Sequence, residues 1–386
     1  MDSLHPTDWS FPVPILYGPG RLGDLPQILH KHKLSNPLLV TDRGSRDLTF
    51  IASTISLLES NGLSTAVFSE ISPNPVDSEV DAGKRAFERN EHDCVIAIGG
   101  GSAMDGGKAI SLIAGHDIPL WDFDYDLPSA PPSQGFPPLV CVPTTAGTGA
   151  ETESTAMITD TKRGVKGCIW HEDQTPIAAI LDPELTLGLP PNLTAWTGCD
   201  ALVHAIEAYV INDFHPMCDG AALEAMRLIG PSLRIAVNEP DNLQARGDML
   251  VGSCLAGVSF LKGLGLVHAI SHMVGAEYDT HHGLTNAIVL PTVLRFNESA
   301  ITDKVPEMNH ALGIASKNFN GFYDAVCALL DDLNIPKTLR DIGVDDGRVA
   351  QLAAKAINDA AAGTNPRTAS IPDLENLIEE AILSGR

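Results

Sequence analysis

Cationic side chains are scarce in this chain: 25 Lys and Arg stand against 49 Asp and Glu in 386 residues, a formal charge of −24. Nucleic acids and anionic membrane surfaces are held by Lys/Arg patches, so both classes of partner are excluded. Cysteine is also sparse. The seven thiols are odd in number and form no CxxC pair, which excludes a disulfide framework and a cysteine zinc site and points to reduced, buried side chains. No run of 18 apolar residues occurs, since the most apolar region, 249–272, is broken by Lys262 and several glycines. The opening segment MDSLHPTDWSFPVP lacks a basic n-region and an apolar h-region, so no signal peptide and a cytoplasmic location are expected. What remains is globular: 44% hydrophobic residues, 34 Gly and 27 Pro, over a length that suits two domains.

The segments PLLVTD (37–42), STAVFSE (64–70), DCVIAIGGG (93–101), PPLVCVPTT (137–145) and AAILD (178–182) read as strands, with helical spacing at 45–61 and 76–91. Strands this apolar belong to a parallel sheet covered on both faces. After Pro190 and Pro191 the pattern changes to long helical stretches, punctuated at 239–242, 279–283, 335–337 and 365–367. The expected organisation is an α/β domain over residues 1–190 and an all-α domain over residues 191–386.

Two loops suit a nucleotide. IAIGGGSAMDGGKAI leaves a strand and enters a helix, so the three glycines let a phosphate approach and the first helical N–H groups supply donors without a cation. It is neither the usual dinucleotide fingerprint, since Met104 occupies the third glycine position, nor a P-loop, since Lys108 is followed by Ala109. A plainer alternative is a helix start with Ser102 as cap and Asp105 completing a capping box. PTTAGTGAETEST (143–155) offers hydroxyls for ribose, phosphate or amide contacts, or is a polar loop ending in a cap. Asp42 closes a strand, where a carboxylate can accept from a ribose diol and repel a 2′-phosphate, or cap a helix beginning near Arg43–Arg46.

The second half carries an acid–histidine constellation. CDALVHAIEAYV (199–210) sets Asp200 and His204 four residues apart on one helix face, with Glu207 a further candidate ligand. GLVHAISHMVGAEYDTHHGL (265–284) adds His268 and His272 at the same spacing, then His281 and His282. Four histidines in fifteen residues among apolar neighbours are costly to bury without a task. Several imidazoles with one carboxylate suit iron(II) or zinc rather than calcium or magnesium. HAISH is not HExxH: Ala269 stands where a hydrolase needs its general-base glutamate.

With GGGSAMDGGKA, PTTAGTGAE, DPELTLGLP, TGCDALVHAIEAY and GLGLVHAISHMVGAEYDTHHGLTNAIVLP, the chain resembles the iron-containing (group III) alcohol dehydrogenases from YGPG (17–20) to NPR (365–367). The resemblance implies a dinucleotide-binding α/β domain, a helical metal domain with dehydroquinate synthase-like architecture, a cleft between them, and a homodimer. It implies Asp200, His204, His268 and His282 as ligands of Fe²⁺, with Zn²⁺ an alternative, and His272 as a catalytic residue that binds no metal. It further implies Gly99, Gly100, Gly101 and Ser102 on the NAD pyrophosphate, Asp42 on the adenosine ribose, and Thr144, Thr145, Lys166 and Asn74 in the rest of the cofactor site. The chain departs from the family in having Met273 and His281 where proline is frequent. His281 is expected to lie at a loop surface rather than relay protons. KGLG (262–265) with HHG (281–283) is similar to the branch that includes 4-hydroxybutyrate dehydrogenases, which raises Lys262 as partner of a substrate carboxylate, against a solvated lysine.

The implied activity is metal-dependent hydride transfer between NAD(H) and a small alcohol or aldehyde. Three alternatives stand beside it: a dehydrogenase of a small ω-hydroxy acid, a lyase resembling dehydroquinate synthase, and a metal hydrolase without a dinucleotide. The lyase needs several cations around the histidines, where the sequence supplies little beyond Lys262.

Overall fold

A computed structural model describes residues 7–9, 13–133 and 135–386. Most of the segment on which the signal-peptide expectation rests lies outside the described residues. The chain divides into two compact units, one formed by 1–145 and 150–187, the other by 146–149 and 188–386.

The first unit is built on seven strands: β1 (Thr7–Trp9), β2 (Ile15–Tyr17), β3 (Pro37–Asp42), β4 (Ala66–Ile71), β5 (Cys94–Gly99), β6 (Leu139–Pro143) and β9 (Ala178–Leu181). Their order is β1-β2-β9-β6-β5-β3-β4, all parallel except the edge strand β1. A separate antiparallel hairpin pairs β7 (Thr155–Asp160) with β8 (Val165–Trp170). Helices α1 (Leu25–Lys31), α2 (Thr49–Ser60), α3 (Asp77–Arg89) and α4 (Gly101–Ile113) cover the faces. Alternation within the strands explains why they read as continuous apolar runs. Val95 and Ala97 of β5 join one core with Ile110 and Val80, while Ile96 and Ile98 join the opposite core with Leu29 and Leu58. The short strands β1 and β2 and the β7–β8 hairpin are additions to the elements legible in sequence.

Two expected caps are corrected. The N-cap of α4 is Gly100, which has no side chain, so Ser102 and Asp105 form no capping box; Ser102 is already in the helix. Asp42 does not cap a helix at 43–46: it accepts the Ser45 N–H at 2.9 Å and the Ser45 hydroxyl at 2.8 Å in a turn, and α2 begins only at Thr49.

The second unit is helical: α5 (Pro191–Val210), α6 (Pro216–Asn238), α7 (Leu243–Ser259), α8 (Leu266–Tyr278), α9 (His282–Ile301), α10 (Val305–Ala311), α11 (Phe319–Asp332), α12 (Val349–Ala356), α13 (Ala360–Thr364) and α14 (Ile371–Leu383). Among the described residues no single helix is long and apolar enough to cross a membrane. α5 is the central element, buried along nearly its whole length. Both of its ends are fixed. Arg246 donates to Thr194 Oγ1 at 2.8 Å and to the Leu189 carbonyl at 3.4 Å near the start, and Lys304 donates to the carbonyls of Tyr209 and Ile211 at 2.8 and 2.6 Å at the finish. A cation at a helix C-terminus satisfies carbonyls that have no partner within the helix. Lys262 has the same neighbourhood. Its side chain is 1% exposed and its ammonium lies 2.5 Å from Asp219 Oδ1. It is therefore neither solvated nor free for a substrate carboxylate, because a buried ammonium needs its counterion.

Candidate metal centre and nucleotide loop

In the first unit the chain runs from β3 outward to β4 and then crosses back to β5 on the other side of β3. The carboxyl ends of β3 and β5 thus flank a point where the winding reverses, the place at which open parallel sheets bind ligands. Asp42 ends β3 and Gly99 ends β5. Gly99 has φ +147°, and a Cβ there would lie 2.7 Å from Ala103 Cβ and 3.0 Å from Asp42 Oδ2, so no other residue brings the turn this close. The first N–H groups of α4 receive no N-cap side chain and remain available to an anion. The close packing that a third fingerprint glycine normally gives comes instead from Gly107, whose Cβ would meet Ala97 Cβ at 2.6 Å. Sequence counting missed this because it looked at Met104.

The structure also gathers the other proposed cofactor residues around this unit's loops. The Thr144 N–H donates to the Gly99 carbonyl at 2.8 Å, and Thr145 packs beside Gly100. Lys166 pairs in register with Thr159, whose N–H donates to the carbonyl of Pro75, next to Asn74. Lys166 also faces Asp105, whose carboxyl is pushed up to about 7 by burial, against the pull of Lys108, Lys166 and the Met157 N–H. Glu151 is pushed up to about 7 by burial too, and its Oε1 has no hydrogen-bond partner.

In the second unit, helical spacing sets each pair and packing brings the pairs together. α5 supplies Asp200 and His204, α8 supplies His268, and α9 supplies His282 at its first position. Their ligand atoms all lie within 4.8 Å of one another. The Nε2 atoms of His204, His268 and His282 stand 4.0, 3.9 and 3.6 Å from Asp200 Oδ1. Such separations are too long for hydrogen bonds but close to the edges, about 3.4 Å, of a tetrahedron with metal–ligand bonds near 2.1 Å. Three of the four side chains are buried and His282 is partly exposed. The donor set, three imidazoles and one carboxylate, fits iron(II) or zinc. Burial, reinforced by His204, holds His268 well below its ordinary pKa, so its ring is neutral and keeps a lone pair for a cation.

Glu207 is not in this group. One turn beyond His204 on α5, its carboxylate accepts from His268 Nδ1 at 2.6 Å and from the N–H groups of Gly265 and Val267 at 3.1 and 2.8 Å. It therefore caps α8 and orients the imidazole that α8 presents. The remaining free N–H at that helix start, from Leu266, goes to Asn365 Oδ1 at 3.2 Å, which gives the NPR segment its place. His272 lies one turn after His268, stacked on His282 with ring centres 5.4 Å apart, and its Nδ1 meets Asp359 Oδ2 at 2.9 Å. Asp359 escaped sequence reasoning because 87 residues separate it from His272. His281 is corrected: it is half-buried, packs on Trp196 and accepts the Leu284 N–H as N-cap of α9, rather than sitting on a loop surface.

The profile described as "Iron-containing alcohol dehydrogenase" matches residues 12–183, and that described as "Fe-containing alcohol dehydrogenase family, C-terminal" matches residues 194–382. The chain belongs to the iron-containing alcohol dehydrogenase family. It is 36% identical over 389 residues to 1,3-propanediol dehydrogenase of Klebsiella pneumoniae, covering 97% of this chain and 98% of that one. To the NAD-dependent methanol dehydrogenase of Bacillus methanolicus it is 35% identical over 386 residues, covering 97% and 100%. The crystal structure of a 1,3-propanediol oxidoreductase superposes with a TM-score of 0.91 at 36% identity, covering 95% and 97%. This iron-type alcohol dehydrogenase is a metal-dependent oxidoreductase that transfers a hydride between NAD(H) and a small alcohol or aldehyde. The ω-hydroxy acid, lyase and hydrolase alternatives are not favoured. Lys262, the cation that the first two would use, is held by Asp219.

Proposed function

We propose that Asp200, His204, His268 and His282 hold Fe²⁺ or Zn²⁺ and that His272 carries the hydroxyl proton, in an enzyme for short primary alcohols or diols and their aldehydes. The observation carrying this reading is the convergence of three Nε2 atoms on Asp200 Oδ1 at 3.6–4.0 Å. The substrate class rests on the names of the 1,3-propanediol and methanol dehydrogenases to which the chain is similar. When bound, the metal supplies Lewis-acid polarisation of the substrate oxygen and NAD accepts the hydride.

The chain's own residues do the rest. Glu207 accepts a hydrogen bond from His268 Nδ1–H, which leaves the Nε2 lone pair as the ligating site. Asp359 accepts a hydrogen bond from His272 Nδ1–H in the same way, which leaves the His272 Nε2 lone pair to accept the proton of the alcohol. Burial would raise the Asp359 carboxyl, but its interaction with His272 and the Ala361 N–H outweighs it and holds it below the usual range. Gly99 to Ser102 hold the pyrophosphate on backbone N–H groups. Asp42 keeps lone pairs for the ribose diol beyond its two bonds from Ser45. Thr144, Thr145, Lys166 and Asn74 complete that site. A cytoplasmic homodimer is part of the proposal; seven cysteines outside disulfides, five of them buried, suit a reducing compartment, and the dimer follows the family resemblance.

The test follows NADH absorbance with purified protein, NAD, Fe²⁺ or Zn²⁺ and a panel of alcohols, diols and hydroxy acids. Turnover of short primary alcohols is expected, and silence across the panel overturns the substrate class. His268→Ala is expected to lose metal and turnover while keeping its NAD affinity. Unchanged metal content in that variant overturns the ligand assignment.

A further inference from the structure

Asn286 lies four residues after His282 on the same face of α9 and is fully buried. Its side-chain Nδ2 is 2.7 Å from Asp200 Oδ1, 3.1 Å from His268 Nε2 and 3.1 Å from His282 Nε2. One amide nitrogen thus touches three of the four atoms that converge in the candidate metal centre. Its Oδ1 is buried without a hydrogen-bond partner, so the whole polar function of this side chain is spent through its donors. Reversing the amide would set Oδ1 against the Asp200 carboxylate with no proton between them, so Asp200 fixes the orientation.

We infer that Asn286 is a positioning residue of the metal centre, holding the Asp200 carboxylate and keeping the Nε2 lone pairs of His268 and His282 turned inward. The inference rests on the ligand assignment made above. An N–H donor facing Nε2 excludes the tautomer with hydrogen on that atom, and the tautomer it selects is the one a cation needs. The outer sides of both rings agree: His268 Nδ1 meets Glu207 and His282 Nδ1 meets the Ser271 hydroxyl at 3.3 Å. Without this donor, a carboxylate and two imidazole lone pairs would point at one another with nothing between them in the metal-free protein.

The sign of the effect follows from the distances. An amide has two hydrogens. The shorter contact, to an anion, takes one; the two contacts at 3.1 Å share the other and are weak. A metal claims the same imidazole lone pairs, so the weak contacts are given up on binding, whereas a carboxylate oxygen has lone pairs enough to keep its Asn286 bond. Removing the amide therefore costs metal affinity more than it relieves competition. Loss of such a supporting contact lowers affinity by roughly 10–100-fold.

The experiment uses the full chain stripped of metal and titrated with Zn²⁺ against a chelator, then loaded with Co²⁺ for its visible spectrum. Two variants are compared with wild type and with His268→Ala: Asn286→Ala, and Asn286→Leu, which keeps the side-chain volume so that a cavity is not the cause. The expected result is a Zn²⁺ dissociation constant raised by roughly 10–100-fold in both, an altered Co²⁺ absorption, and unchanged NAD affinity. A purely structural residue would leave the Co²⁺ spectrum of the folded variant as in wild type. Wild-type uptake of Zn²⁺ with unchanged affinity and spectrum in the folded variants overturns the inference alone. A wild-type chain that takes up no Zn²⁺ overturns the ligand assignment and the inference together.

Discussion

Replacing Glu207 by Gln changes one atom in a buried cluster, and the structure says where the loss falls. Oε2 of the carboxylate takes Gly265 N–H and His268 Nδ1, Oε1 takes Val267 N–H, and the backbone N–H of His268 also bonds to it. A Gln amide has one acceptor oxygen. Its cheaper orientation keeps Gly265 and His268 and turns NH₂ against the Val267 N–H, leaving a buried donor unpaired at about 1–3 kcal/mol. The two surviving bonds lose their charge assistance, at roughly 1 kcal/mol each. Against this, Gln removes a charge that burial disfavours so strongly that the carboxyl rises from 4.5 to about 7 even with its hydrogen bonds in place. That shift is already net of the charge-assisted bonds lost, so above pH 7 the metal-free variant should be at least as stable as wild type. Metal binding has no such compensation, because the His268 ring no longer donates to an anion and its Nε2 is a poorer ligand. Zn²⁺ affinity measured against a chelator should fall roughly 10–100-fold. An affinity within about threefold of wild type, with the melting temperature unchanged, would refute the claim that Glu207 acts through His268.

Other outcomes follow from separate parts of the molecule. Gly99→Ala places a Cβ 2.7 Å from Ala103 at φ +147°, so it should destabilise the chain by about 1–3 kcal/mol and weaken NAD binding in calorimetry. Glu151 bears a pH dependence. Its carboxyl is near 4.5 unfolded and about 7 folded because burial raises it, so it contributes most to stability below pH 4.5, and that contribution is lost as pH rises to about 7. Glu151→Gln should therefore raise stability at pH 8, by on the order of 1–3 kcal/mol, and change nothing near pH 4; equal differences at both would count against it. Lys262→Met strands Asp219, which is 29% exposed, so melting should drop by roughly 2–8 °C while KM for alcohols stays unchanged. A selective rise in KM for hydroxy acids would restore a substrate role for that lysine.

How much was legible in sequence can be read from particular residues. Strands β3, β5 and β6 declared themselves because a strand buried on both faces must be apolar throughout, and DCVIAIGGG has no other stable reading. β2 escaped because three residues, ILY, carry no periodicity; it is a strand because β9 on one side and β1 on the other pair with it. The pairs Asp200–His204 and His268–His272 were legible because four residues bring a helix round to the same face.

Spacing determined which side chains share a face, and composition set an acidic balance, 49 Asp and Glu against 25 Lys and Arg, that disfavours polyanionic partners. Tertiary structure decided the rest. His281 and His282 are adjacent and identical in type, and only the start of α9 turns one into an N-cap and the other toward Asp200. Glu207 and Asp200 both belong to α5, yet the path of α8 gives one a helix cap and a histidine to orient and leaves the other facing three imidazoles. The contacts of Asp359, Asn286 and Asn365 had no signal in local spacing, although Asn286 and Asn365 lie within motifs that the sequence displays. Hydrogen bonds across 87, 86 and 99 residues depend on which helices pack together, and no local spacing encodes that.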